Sequence, residues 1–262
     1  MAQNHKPDLV RLYHLNSSRI RSYQPDPVDY EKQPLGRRTY LGAKRIDLPG
    51  QDFALTMPLG DSLQQRSSRR EFQLAPIKLE VLGRLLFASY GVSEKFVVDD
   101  QLIAHRSSPS AGGRCPLELY VVAQQIDGLE DGIYHYDSWS HQFEELRLGS
   151  FNDALSGMLF GQLHLSKANL IVCITAVFER TTWKYAERGY RYVLLEAGHV
   201  CQTLYLVADA LGLAAVAVGG FVDHEVNHLL CLPNGEEDAI YLCCIGHPQA
   251  HSAGSPVLTN EL

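Results

Sequence analysis

The sequence predicts an α+β fold, a mostly antiparallel sheet packed by long helices. Three observations lead there. Val193, Ala197, Val200, Cys201, Leu204, Val207, Ala208 and Leu211 mark one face of a helix from about Tyr190 to Leu211; at 1.5 Å per residue it is roughly 33 Å long, enough to run through a whole domain. Residues 117–148 alternate and turn like a small antiparallel set of strands. Helices and strands are otherwise segregated along the chain, not interleaved as in a parallel sheet.

The elements follow in order. Residues 1–45 form a basic arm, with nine Lys/Arg against four Asp/Glu, whereas residues 46–262 hold 14 against 26. The arm also carries Tyr13, Tyr23, Tyr30 and Tyr40 with Pro25, Pro27 and Pro34, and shows neither a helical nor a strand period, so it is expected to be irregular and extended. The plain expectation is a solvated tail; the sharper one is an arm that wraps a partner subunit or guides an acidic substrate or carrier. From Leu79 the positions Leu79, Leu82, Leu85 and Leu86 fall at helical spacing, and Gly91 stands where a left-handed C-cap would. Strands follow at Leu117–Ala123, 133–136 and 143–148, then at 170–178, which is apolar on both faces and therefore buried. After the long helix, Ala214–Val218 and residues 239–245 read as strands flanking a short helix that Asp223 is placed to cap. Nothing after Gly60 looks like a linker, so residues 46–262 are expected to form one domain.

Composition narrows the function classes. With 45% hydrophobic and 20% charged residues the chain can bury a core, which excludes a disordered protein. The apolar stretches at 170–178 and 211–222 are too short to span a membrane. Residues 1–11 lack the apolar run of a signal peptide, so a cytoplasmic location with reduced thiols is expected; the six cysteines show no C-x-x-C pair. A net charge of −7 argues against nucleic acid as the main partner.

Three motifs carry chemistry. Arg66-Ser67-Ser68-Arg69-Arg70-Glu71-Phe72 suits an anion, because arginine forks match phosphate oxygens and serine hydroxyls add directed hydrogen bonds; alone it is equally a solvated basic turn. Pro109-Ser110-Ala111-Gly112 offers small residues that let backbone approach a flat ligand, or is merely a loop. Gly219-Gly220, directly after a strand, is again a place of close approach, or a simple turn.

Taken in order, these resemble the flavin-binding scaffold of the nitroreductase superfamily, and within it the SagB/ThcOx-type dehydrogenases, which include azoline dehydrogenases. The resemblance covers roughly residues 45–248 and rests also on Lys44-Arg45-Ile46-Asp47-Leu48-Pro49, Pro116-Leu117-Glu118-Leu119-Tyr120, Gly132-Ile133-Tyr134-His135-Tyr136, Lys184-Tyr185, Glu196-Ala197-Gly198-His199 and Ile245-Gly246-His247-Pro248. It implies the nitroreductase-like α+β fold and an FMN site at the interface of an intertwined homodimer. Arg66 and Arg70 would hold the phosphate with Ser67 and Ser68 beside the ribityl chain. Pro109, Ser110, Ala111 and Gly112 would lie along the flavin ring, and Gly219 and Gly220 would present backbone N–H groups near its reactive edge. One departure is plain: nitroreductases commonly add a basic residue near the C-terminus, whereas here no Lys or Arg follows Arg191. The phosphate must then rely on Arg66, Arg70 and backbone donors, or on an arginine from the other subunit.

Lys184-Tyr185 is what the resemblance makes catalytic. Oxidising a thiazoline or oxazoline to its azole removes a proton from one ring carbon and a hydride from its neighbour. FMN takes the hydride, and Tyr185 the proton, since the Lys184 ammonium favours its phenolate. Against this stands a bland alternative, in which Arg180, Lys184, Arg188 and Arg191 form one solvated helix face. His224-Glu225-Val226-Asn227-His228 fits the zinc-protease pattern H-E-x-x-H, but no third ligand is evident, and no metal is expected. The leading expectation is an FMN-dependent azoline dehydrogenase acting on a peptide or carrier-bound intermediate, within a synthetase complex and with dioxygen as electron acceptor. The alternatives are an NAD(P)H-dependent nitroreductase or flavin reductase, and a flavin-holding structural subunit of a larger complex.

Overall fold

A computed structural model describes residues 8–24, 27–98 and 101–249. Its helices are α1 (Leu9–Asn16), α2 (Leu59–Gln65), α3 (Leu79–Tyr90), α4 (Asn152–Met158), α5 (Glu179–Tyr185), α6 (Glu187–Ala210) and α7 (Asp223–Leu229). Its strands are β1 (Arg45–Asp47), β2 (Phe72–Gln73), β3 (Ile77–Lys78), β4 (Val92–Val98), β5 (Gln101–Arg106), β6 (Leu117–Ala123), β7 (Ile126–Asp127), β8 (Gly132–Asp137), β9 (Gln142–Leu148), β10 (Leu170–Ala176), β11 (Ala214–Val218) and β12 (Asp238–Pro248). The main sheet runs β1-β9-β8-β6-β10-β12-β11, with β2 paired to the end of β12. Each of its pairings is antiparallel. This is the expected α+β architecture.

Period-two alternation sorts the strand residues onto two faces. Leu119 and Val121 of β6, with Val172 and Ile174 of β10, pack under α3 and α6. Tyr120, Val122, Ile171 and Cys173 point the other way, into a second layer closed by Leu155 of α4, Leu159 just after it, and Val226 and Leu229 of α7. Strand β10 is fully buried because both of its faces are covered.

Two helix-end expectations are corrected. Gly91 follows α3 in extended backbone, at φ −63°, and is needed for space: a Cβ there would sit 2.7 Å from the Phe87 carbonyl oxygen. Asp223 is the first residue of α7 instead of its cap, and the N-cap, Val222, makes no side-chain hydrogen bond.

The described part of the arm differs from an irregular tail. Asp8 accepts the Arg11 N–H and starts α1, which buries no residue; Leu9, Leu12 and Tyr13 fall at helical spacing, so the expectation of no period is corrected for this stretch. Farther on, the arm straps the second face of the sheet. The Arg38 N–H donates to Glu118 Oε1 (2.9 Å) and the Tyr40 N–H to Glu144 Oε2 (3.1 Å). Under this strap His135 is held between Glu144 Oε2 (2.9 Å) and Glu118 Oε2 (3.2 Å), and Arg180 reaches Glu118 Oε1 at 2.7 Å. Burial works against the charge on His135, but the hydrogen bonds to the two glutamates raise it to about 9. Burial likewise opposes the Glu118 carboxylate, yet His135 and Arg180 hold it at about 2.

Candidate active site

Two of the sequence motifs meet directly. Ser108 Oγ donates to the Ser89 carbonyl of α3 (3.1 Å) and pairs with Thr203 Oγ1 of α6 (3.3 Å), which ties the loop 109–112 to both helices. Ser110 Oγ accepts the Cys115 N–H (2.8 Å) and hydrogen-bonds Glu196 of α6. Gly112 has φ +61°, and a Cβ on it would fall onto the Tyr185 hydroxyl, with Lys184 Nζ 3.7 Å from the same point. The loop backbone thus packs against the Tyr185 oxygen, and only glycine fits there.

Lys184 and Tyr185 are the last residues of α5. Ala186 ends that helix at φ 49°, ψ −142°, a conformation that costs an L-residue on the order of 1–3 kcal/mol. The elbow is closed by Gly189, where a Cβ would come within 2.8 Å of Thr182 Cα. It leaves Lys184 Nζ 5.6 Å from the Tyr185 ring centroid, with Tyr192 edge-on to that ring at 5.1 Å. The four cations at 180, 184, 188 and 191 do not form a solvated face. Arg180 is buried on Glu118, while Arg188 and Arg191 donate to Ser17 and His14 of the arm. The arm also fixes α5, because Arg19 donates to the Tyr185 carbonyl (2.7 Å) and Trp183 Nε1 to the Asp29 carbonyl (3.0 Å).

The other two motifs flank β11, one beside its first residues and one after its last. Helix α2 ends at Arg66, and the chain then runs beside β11, with Ser68 bridged to Ala215 and the Arg69 N–H donating to the Ala215 carbonyl (3.0 Å). Tyr205 organises this corner: its hydroxyl meets Ser68 Oγ (3.0 Å) and accepts the Ala217 N–H (2.6 Å), and its ring lies 5.4 Å from the Arg66 guanidinium. Among the described residues neither Arg66 nor the exposed Arg70 is paired with a carboxylate. Ser67 accepts from Arg69 Nε (3.3 Å). Gly219 and Gly220 follow β11; a Cβ on either would meet only ordinary contacts, 3.7 Å from Tyr241 and 3.9 Å from Phe160, so the chain's own packing does not demand glycine there.

The nitroreductase family model matches residues 63–247, the span from α2 to the end of β12. The chain belongs to the nitroreductase family. Among its relatives, a protein of Methanocaldococcus jannaschii bearing the nitroreductase name is 37% identical over 172 residues, covering 66% of this chain and 83% of that protein. The microcin B17-processing protein McbC of Escherichia coli is 32% identical over 128 residues, 46% of each chain, and the trifolitoxin-processing protein TfxB of Rhizobium leguminosarum is 32% identical over 113 residues. This chain spans about half of McbC and 30% of TfxB. A nitroreductase-named crystal structure from Anabaena variabilis superposes with a TM-score of 0.72 at 27% identity, over 96% of this chain and 50% of that one. In the E. coli McbBCD microcin synthetase, solved with truncated pro-MccB17 bound, one chain shares the fold, with a TM-score of 0.60 at 21% identity. This nitroreductase-family chain thus has relatives that process peptide natural products. No helix among its described residues is long and apolar enough to cross a membrane, and no three His, Cys, Asp or Glu among them cluster as a metal site.

Two residues of this nitroreductase-family site carry no motif role in the sequence. Tyr205 reads there only as one more position on α6. Glu196 lies in a recognisable stretch, but its burial against Ser110 and Tyr90 cannot be read from spacing. Burial pushes its carboxyl to about 7, against hydrogen bonds from Ser110 and Tyr90 and the nearby charge of Arg106. Because the folded-state value is raised, the associated stability is complete below about pH 4.5 and is lost as pH rises through 7, a change of about 3 kcal/mol at 1.36 kcal/mol per unit. Glu196→Gln is therefore expected to gain on wild type by that order between pH 5 and pH 8 in urea titrations; an equal midpoint difference at both pH values would refute the burial of a titrating carboxyl.

Proposed function

We propose that this nitroreductase-family protein binds FMN and oxidises azoline rings to azoles on a peptide or carrier-bound intermediate. The observation that carries the reading is the packing of Lys184 and Tyr185 against Gly112 of the small-residue loop. A phenol and an ammonium stand there against the exposed backbone of Gly112.

The residues present fit FMN. Arg66 and Arg70 offer two cations without carboxylate partners, Ser67 and Ser68 supply hydroxyls beside them, and Gly219 and Gly220 leave space that the chain does not itself need. When bound, FMN supplies the hydride acceptor. The protein's own part is to orient the substrate ring beside the loop 109–112 and α5, exclude water, and take a proton on the Tyr185 oxygen, with the Lys184 ammonium next to it. Arg66→Ala should lose a charge-assisted hydrogen bond worth about 1.5–3 kcal/mol, roughly ten- to a hundredfold in FMN affinity. Equilibrium dialysis checks this, and unchanged FMN retention would reassign the phosphate ligand.

The protein acts as a homodimer. Leu59 and Leu63 of α2 and Leu194 and Leu195 of α6 are between 43% and 65% exposed, an apolar surface suited to a second copy. Light scattering of the flavin-loaded protein is expected to give twice the chain mass, and a monomer at micromolar concentration would remove this claim. The M. jannaschii relative favours a second reading, NAD(P)H-dependent reduction of nitroaromatics or free flavin. The deciding experiment offers the yellow protein a synthetic azoline peptide, scored by loss of two hydrogens in mass, and in parallel NAD(P)H with a nitroaromatic. Azole formation supports the first reading; nitroaromatic turnover without it supports the second.

A further inference from the structure

One cavity has none of the sequence-motif residues in its wall. It measures about 420 Å³ and lies between arm residues 33–39, Ile103 and Ala104 of β5, Trp139, and residues 113–115 of the loop that leaves Gly112. That volume falls within the range of small-ligand sites, about 300–1,000 Å³. Its wall begins at Gly113, one residue beyond the glycine that packs on Tyr185.

The wall is cationic, and its charges are unequally satisfied. Arg37 is paired with Asp137, and Arg180 with Glu118. Arg114 is half-buried; its Nε donates to the Gly112 carbonyl (2.9 Å) and its guanidinium lies 5.9 Å from the Trp183 ring centroid. Among the described residues it meets no carboxylate, and no acidic residue lines the cavity. The buried Trp139 Nε1 and Arg37 Nε have no hydrogen-bond partner either. An unpaired guanidinium in a cavity wall without carboxylates selects acceptors, carboxylates above all.

We propose that this cavity seats the substrate chain next to the reacting ring and that Arg114 selects a carboxylate side chain there, so that the preferred substrate is a peptide with an acidic residue adjoining the azoline. The inference rests on the azoline reading for the identity of the ring. The cavity wall starts at Gly113, next in the chain to the Gly112 that packs on Tyr185, so a ring held beside Tyr185 has its neighbouring residues within reach of the cavity. The net positive arm forms the roof, which adds long-range attraction for an anionic chain.

The test uses the FMN-loaded full-length protein and unreactive thiazole peptides that differ only in Asp or Asn beside the ring. The chain's two tryptophans are Trp139, in the cavity wall, and Trp183, under Arg114, so their fluorescence reports occupancy without turnover. The Asp peptide is expected to bind about tenfold tighter or better, as one charge-assisted hydrogen bond allows. In Arg114→Met the two peptides should bind alike, whereas a structural role for Arg114 would weaken both and leave the preference. Ala104→Phe, which fills the cavity from β5, should weaken both peptides with FMN content unchanged. Equal binding of Asp and Asn peptides to wild type, or a preference that survives in Arg114→Met, overturns the proposal. If azolines are oxidised but no preference exists, the cavity inference alone fails. A preference dependent on Arg114 without azoline turnover leaves the cavity standing and removes the proposed reaction.

Discussion

Tyr185→Phe is expected to leave FMN bound and to cut azole formation by about 100- to 10,000-fold, the usual cost of removing a general base. Only the hydroxyl is lost, and the ring keeps its edge contact with Tyr192, so the elbow between α5 and α6 survives. Lys184→Ala keeps the hydroxyl but removes the cation beside it, so its loss should be smaller. Groups that act as a unit are not additive, and the double variant should be no slower than Tyr185→Phe alone. The measurement is two-hydrogen mass loss from an azoline peptide, with flavin content read from absorbance. Wild-type rates in both single variants would make the pair a structural feature of α5.

The second large effect concerns stability. His135 is fully buried between two glutamates, so His135→Leu removes the charged donor they share and leaves Glu118 only Arg180 and Glu144 only the more distant Arg45 as ion-pair partners. Breaking a buried pair from one side typically costs about 3–5 kcal/mol, a large share of the 5–15 kcal/mol that holds a typical domain. Linkage gives an independent signature. With the folded-state value raised from 6.5 to about 9, the contribution of His135 is complete below pH 6.5 and lost as pH rises through 9, about 3 kcal/mol over that window. Glu118 acts at the other end: held at about 2, its contribution is present above about pH 4.5 and disappears as pH falls through 2. Urea midpoints followed from pH 6 to 9.5 should fall more steeply in wild type than in His135→Leu, and parallel curves would mean that His135 is neutral in the fold.

Most of the sheet and the long helix were legible because their apolar residues repeat at two and at about 3.6 positions. The elbow at Ala186 was not. Arginine and lysine continue at four, four and three positions across it, and no proline or glycine stands at the break; Gly189, in tight contact with Thr181 and Thr182, was the available sign. The buried network escaped for another reason. Glu118 between Leu117 and Leu119, and His135 between Tyr134 and Tyr136, are what a strand with one solvated face looks like. That face is covered by arm residues more than eighty positions earlier, and no local pattern reveals it. The motif residues of the candidate site were legible by type, but the corner around Tyr205 and the contact of Gly112 with Tyr185 depend on α6, which holds Tyr205 and, through Glu196 and Thr203, the loop before Gly112.

The arm also sets a schedule for the growing chain. The partners that hold it are made long after it, with Arg180 bonded to Leu35 across 145 positions and Arg191 to His14 across 177. At about 5–20 residues per second of synthesis, the arm waits roughly 7–35 s on the ribosome before it can dock. A segment that must wait is safest if it hides no sticky surface of its own. Helix α1 buries no residue even in the finished fold, and it is fastened by guanidinium groups that α6 brings to its carbonyls. Its late docking therefore changes the exposure of its own apolar side chains little: Leu9, Val10, Leu12 and Leu15 are more than half exposed even in the finished fold.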